Sequence, residues 1–210
     1  VDAAGDLYPL SLVQDSPWQH ANLALLDFED GSASCTNGSA EMNSTVSGFA
    51  EDRDYRGLQF RLGVPFSLNH ENQAIAESPL NLSSMFWSWQ SGYKFLRLDG
   101  ETPGLGNSFR VHLGSTGCAL EAGTTRIGSC DRPNRPLVTL EMDPAADQVR
   151  FDLVSLLANS NVDTNQETTA AGCMSEASDE DCAPLFEALG LDFVSGEPTT
   201  EQQVFRVEPR

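Results

Sequence analysis

Between residues 57 and 69 the chain alternates with period two. Leu58, Phe60, Leu62, Val64, Phe66 and Leu68 fall on one phase, and Gln59, Arg61, Gly63 and Ser67 on the other. Two is the side-chain repeat of a strand, so the run predicts one long, half-buried strand. Pro65 has no amide to donate, which predicts a bulge or a sheet edge at that point. Shorter strand-like runs at residues 8–13, 22–28, 93–98, 108–113, 137–142, 148–153 and 203–207 are separated by clusters of Gly, Pro, Asn and Asp. Such spacing without alternating long helices predicts an all-β fold, an antiparallel β-sandwich with a few short helices and long disulfide-clipped loops. The 210 residues, 40% apolar with 11 Phe and 3 Trp, suffice for the core of a single domain spanning 1–210.

Two helices are expected. One starts at Ser78 and Pro79 and stops at Gly92, with Leu82, Met85, Phe86 and Trp89 at helical spacing and Trp87 off that stripe. The other covers residues 183–189 and ends before Gly190. The polar stretch 159–181 reads as a surface loop. Five cysteines stand in no CxxC pair, so zinc and iron–sulfur sites are disfavoured and disulfides favoured, which implies an oxidising compartment. The close pairs are Cys118 with Cys130 and Cys173 with Cys182, leaving Cys35 over. A start at Val1, with neither Met nor a leader, suggests that a leader precedes the sequence given.

A net charge of −19 disfavours nucleic acid and anionic membranes as partners, and no apolar run is long enough to span a bilayer. Two acidic clusters, Asp27 with Glu29 and Asp30, and Asp179 with Glu180 and Asp181, could hold a structural calcium. Neither has EF-hand spacing, and a solvated acidic face is the plainer reading. Asn37, Asn43 and Asn81 stand in glycosylation sequons.

Only three histidines are present. His70 lies on the apolar phase at the end of the long run, and His112 lies opposite Phe109, Val111 and Leu113. Two imidazoles at sheet ends, with Met85 as a soft neighbour, could share a copper ion. The alternative is that both only hydrogen-bond the backbone. No hydrolase, phosphate-loop or dinucleotide motif is present. An extracellular carbohydrate- or surface-binding module, with Trp87, Trp89 and Tyr93 as an aromatic platform, is the competing class.

Several ordered blocks carry a resemblance: Leu25-Leu-Asp-Phe-Glu-Asp-Gly31, Leu62-Gly-Val-Pro-Phe-Ser-Leu-Asn-His70, Pro79-Leu-Asn81, Met85-Phe-Trp-Ser-Trp-Gln-Ser-Gly-Tyr-Lys-Phe-Leu-Arg-Leu-Asp99 and His112-Leu-Gly-Ser-Thr-Gly-Cys118. Pro133-Asn-Arg135 and Cys173-Met174 follow. Together they resemble the MbnP family, methanobactin-associated periplasmic or secreted copper-binding proteins with a four-cysteine motif, related to CorA and MopE. The resemblance implies copper, Cu(I) favoured, and a partner di-haem protein of the MauG or cytochrome c peroxidase type, MbnH-like, that oxidises a tryptophan to kynurenine. It implies a protein that is an enzyme's substrate rather than an enzyme. His70 and His112 are then the expected ligands, Trp87 the first and Trp89 the second choice for modification, and Met85 a weak axial ligand. Trp18 with His20 is the competing assignment.

Overall fold

The computed structural model describes residues 1–32, 35, 38–104, 108–199 and 201–210, so Asn37 of the first sequon lies outside the described residues. Its strands are short: β1 (Ser11–Leu12), β2 (Gln19–His20), β3 (Leu23–Ala24), β4 (Gly48–Phe49) and β5 (Gly57–Arg61) precede the helical turn α1 (Phe66–Asn69). Next come β6 (Phe86–Ser88), β7 (Gly92–Tyr93), β8 (Leu96–Gly100), β9 (Phe109–Leu113), β10 (Thr116–Leu120), β11 (Ile127–Arg132), β12 (Leu137–Glu141) and β13 (Asp147–Phe151). The chain closes with α2 (Leu153–Leu157), β14 (Gly172–Cys173), α3 (Ala183–Ala188) and β15 (Phe205–Pro209).

The all-β expectation holds. Among the described residues strands pair in small sheets of two or three, every pairing between them is antiparallel except that of β14 with β9, and no barrel closes. The central sheet runs in the order β14-β9-β8. Its inner face supplies Phe109, Val111 and Leu113, which join Leu156 of α2 and Leu185 and Phe186 of α3 in one buried apolar cluster. Phe205 of β15 stacks edge-on against both Phe60 of β5 and Phe151 of β13, at 5.1 and 5.4 Å between ring centres, which ties the β5–β12 and β13–β15 ribbons together.

Two expected elements are corrected. The long strand stops at Arg61, because Gly63 turns the backbone to φ +116° with the Phe95 ring against its Cα, where a Cβ would sit 2.6 Å from that ring. Pro65 then caps a single helical turn in place of a bulge, and His70 ends that turn. The expected helix from Ser78 to Gly92 is instead a 3₁₀ turn at Ser83–Met85 followed by the β6–β7 ribbon. Aromatic and β-preferring residues at 86–89 outweigh the helical spacing once Phe86 can stack on Tyr93 across the ribbon, 5.0 Å between ring centres. The helix at Ala183–Ala188 forms as expected and ends at Gly190 with φ +72°.

Both expected disulfides are present, Cys118–Cys130 across the β10–β11 ladder and Cys173–Cys182 between β14 and the turn before α3. Cys35 is a free, exposed thiol. No helix is long and apolar enough to cross a membrane among the described residues.

Asn134, fully buried with φ +51°, donates its amide to the Gly114 carbonyl at 2.7 Å. Asn134→Ala leaves that buried acceptor unpaired, so a loss of about 2 kcal/mol is expected, read as a lower urea midpoint.

Candidate metal centre

The β6–β7 ribbon is docked through Asn69. Its side-chain oxygen accepts from Tyr93 N–H at 2.9 Å, which fixes the amide orientation and turns Nδ2 toward His70 Nε2, 3.3 Å away. On the other side of the ring, His70 Nδ1 is 3.3 Å from the Trp89 carbonyl, and a carbonyl only accepts. Nδ1 therefore carries the proton and Nε2 the lone pair. Burial pushes the His70 pKa down, against the smaller pull of the Trp89 carbonyl, so the ring is neutral at pH 7.

His112 is held in the complementary manner. Strand alternation sends Val111 and Leu113 into the core and His112 to the outer face with Arg97 and Asp99, Arg97 being directly opposite it in the ladder. The ring is nevertheless buried, 7% exposed. Its Nε2 donates to Asp99 Oδ1 at 2.7 Å, which leaves Nδ1 as the lone-pair nitrogen. That Nδ1 is buried with no hydrogen-bond partner. Burial lowers the His112 pKa more than the Asp99 carboxylate raises it. Burial works upward on Asp99, but hydrogen bonds from His112 and Arg97 outweigh it and keep the carboxyl below its usual range. A neutral imidazole whose protonated nitrogen is tied to a carboxylate is the usual way of aiming the other nitrogen at a metal.

Trp89 contacts His70 through its backbone, and Trp87 rests at the end of β9. Trp87 is half-buried, and its benzo ring lies on Gly114, two residues beyond His112, so closely that a Cβ there would sit 2.4 Å from Trp87 Cζ3. Trp89 is exposed, and its backbone holds His70. Met85 enters the ribbon through its carbonyl, which accepts from Lys94 N–H at 2.7 Å. No hydrogen bond or ring contact joins His70 directly to His112 among the described residues. What the structure does supply is two neutral imidazoles, His70 held by the Trp89 carbonyl with its Nε2 lone pair facing the Asn69 amide, and His112 held by Asp99 with an unpartnered Nδ1.

The remaining candidates fare differently. His20 ends β2 and Trp18 precedes it, and among the described residues no group of three or more metal-ligating His, Cys, Asp or Glu side chains gathers there. Carboxylates of the two acidic clusters are engaged by backbone amides: Glu29 accepts from Gly31 and Ser39, Asp179 from Asp181, and Asp181 from Gln166. The aromatic platform fails at Tyr93, which is 2% exposed with its hydroxyl donating to the Leu80 carbonyl. Asn69, Asp99 and Gly114 went unrecognised in the sequence, since their importance lies in contacts across strands.

A family model, MbnP, matches residues 9–175. The chain belongs to the MbnP family. A solved structure, MbnP from Methylosinus trichosporium, is 34% identical to it with a TM-score of 0.83, over 100% of this chain and 82% of the other. No curated protein matches it. Within this MbnP-family fold His70, His112, Cys118 and Cys173 lie in the sequence blocks that carried the resemblance, and Cys130 and Cys182 lie outside them.

Both imidazoles titrate lower in the folded chain than in the unfolded one. As pH falls the unfolded chain takes up those protons first, so their contribution to stability is complete above about pH 6.5 and is lost below it, toward the folded-state values. The depressed Asp99 carboxyl adds a further loss only when pH falls through the carboxylate range. Urea midpoints of the metal-free protein are therefore expected to be equal at about pH 8 and pH 7 and lower at about pH 5.5. Burial raises the Asp27 and Asp179 carboxyls, which act in the opposite sense, so the histidine share is read as the difference from a His70→Asn, His112→Asn variant, and an equal pH response in the two would contradict neutral, buried histidines.

Proposed function

We propose that this protein is a copper-binding protein of the periplasm or extracellular space whose site is completed when a di-haem enzyme of the MauG type oxidises Trp87 to kynurenine. The observation that carries the reading is the buried, unpartnered Nδ1 of His112, held by Asp99 beside the strand end on which Trp87 rests. An intact indole offers a metal nothing but an N–H donor. Opening its five-membered ring frees an arylamine nitrogen, while the residue as a whole loses one carbon and gains one oxygen. Two imidazole nitrogens and such an amine form a low-coordinate, borderline-soft donor set that suits Cu(I).

His70 and His112 contribute Nε2 and Nδ1 respectively, and the Trp89 carbonyl and the Asp99 carboxylate hold the rings. Trp87 is preferred to Trp89 because its ring is enclosed against Gly114 while Trp89 is exposed. In this reading the protein is the substrate of the oxidising enzyme. Its charge of −19 draws in copper cations and a less acidic partner, which speeds encounter more than it sets affinity.

The test is peptide mass mapping of protein produced with and without the di-haem partner. The carbon-for-oxygen change is expected at Trp87 only when the partner is present, together with one copper per chain. Unchanged mass at every tryptophan would overturn the reading.

A further inference from the structure

The one group of three metal-ligating side chains among the described residues that draws together closely is not the pair of histidines. It consists of His70, Cys118 and Cys130, whose ligand atoms all lie within 4.8 Å of one another. The two sulfurs form a disulfide between residues directly opposite each other in the β10–β11 ladder. His70 Nε2, the nitrogen with the lone pair, is 3.5 Å from Cys130 Sγ. Zinc–sulfur and zinc–nitrogen bond lengths on a tetrahedral ion put a thiolate sulfur and an imidazole nitrogen about 3.6 Å apart. The nitrogen and one sulfur thus already stand at ligand-to-ligand distance, and the second sulfur is covalently attached to the first.

We propose that Cys118–Cys130 is a latent metal site, which on two-electron reduction becomes, with His70 Nε2, a two-sulfur, one-nitrogen site for a thiophilic ion such as Zn(II) or Cu(I). The reductant is a dithiol or a phosphine. With a phosphine, phosphorus attacks one sulfur and the S–S bond breaks. Water then delivers its oxygen to phosphorus and its protons to the sulfurs, giving a phosphine oxide and two thiols. Binding a divalent ion displaces both thiol protons to solvent, and the sulfurs separate to non-bonded distance.

Access favours this bond over the other. Cys130 is partly exposed, whereas Cys173 and Cys182 are 2% and 0% exposed. The Trp89 carbonyl keeps the imidazole aimed whatever the state of the sulfurs, and the ion takes the Nε2 lone pair in place of the 3.3 Å contact from the Asn69 amide. The inference goes beyond the copper reading and needs neither His112 nor a modified tryptophan.

The test uses the full chain carrying Cys35→Ser, mild phosphine treatment, removal of the phosphine, and Co(II) as the probe. Thiol mapping is expected to find Cys118 and Cys130 free and Cys173–Cys182 intact, with the β-rich circular dichroism retained. One Co(II) per chain is expected to bind with thiolate-to-metal charge-transfer absorbance, which the oxidised chain does not show. His70→Ala is expected to weaken that binding about 100-fold, His70→Asn serving if alanine disturbs the fold, while His112→Ala leaves it unchanged. Absent thiolate absorbance, equal affinity without His70, opening of Cys173–Cys182 alongside, or loss of the fold on reduction would each overturn the proposal. Failure of kynurenine to form would leave this experiment unaffected.

Discussion

His112→Ala is expected to lower copper affinity by more than about 100-fold in protein produced with its di-haem partner, measured by competition with a copper chelator. The size follows from what the ring does. Its Nδ1 is a lone pair inside the protein with nothing to accept from, while Nε2 is committed to Asp99 at 2.7 Å. No other imidazole can replace it, since His70 is held 3.3 Å from the Trp89 carbonyl on a different segment. His70→Ala is expected to match the loss. Asp99→Ala removes no ligand but frees the tautomer and orientation of His112, so a smaller loss of about 10- to 100-fold is expected, with copper stoichiometry unchanged at saturation. This grading separates a ligand from the residue that positions it. Equal, undiminished affinity in both histidine variants would remove the assignment.

Strand positions later in the chain were legible because alternation there has a physical cause. In β9 the apolar phase Phe109, Val111, Leu113 faces α3, and in β12 Val138 and Leu140 are buried while Thr139 is exposed. The same signal overreached at residues 57–69, where the phase persists through Gly63 although the backbone turns there to receive the Phe95 ring. Local pattern has no access to a ring arriving from 32 positions along the chain. The ribbon at 86–93 misled in the opposite direction: helical spacing of Leu82, Met85, Phe86 and Trp89 is genuine, but cross-strand stacking of Phe86 on Tyr93 decides the outcome. The ribbon β10–β11 was missed altogether, its sequence being rich in Gly, Ser and Thr, and its disulfide was the feature of it that spacing revealed. For the site, rarity made the histidines visible. Asp99, one of 31 acidic residues, could not be distinguished until the β8–β9 register set it beside His112.

Gly114→Ala is expected to leave every candidate ligand in place and yet suppress both modification and copper binding. An added Cβ would lie 2.4 Å from Trp87 Cζ3 and 2.8 Å from the Tyr93 carbonyl oxygen. The second neighbour is backbone in a buried segment and cannot give way cheaply, so the first, the indole, must swing off the sheet end. Overpacking of this kind costs about 1–3 kcal/mol, small enough for the fold with its two disulfides to survive. The moved indole would no longer lie on Gly114, two residues from His112, and an arylamine made from it would be displaced from the proposed site. Copper affinity is therefore expected to fall by about 100-fold, close to the loss in His112→Ala, with the kynurenine mass change at position 87 reduced in parallel. Trp87→Phe, which keeps an aromatic ring on Gly114 but has no indole to open, is expected to retain full stability and lose the copper. Should Gly114→Ala bind copper as the parent does while Trp87→Phe does not, the indole would still be required but its seat on Gly114 would not, and the metal would have to be held from a different direction than the outer face of β9.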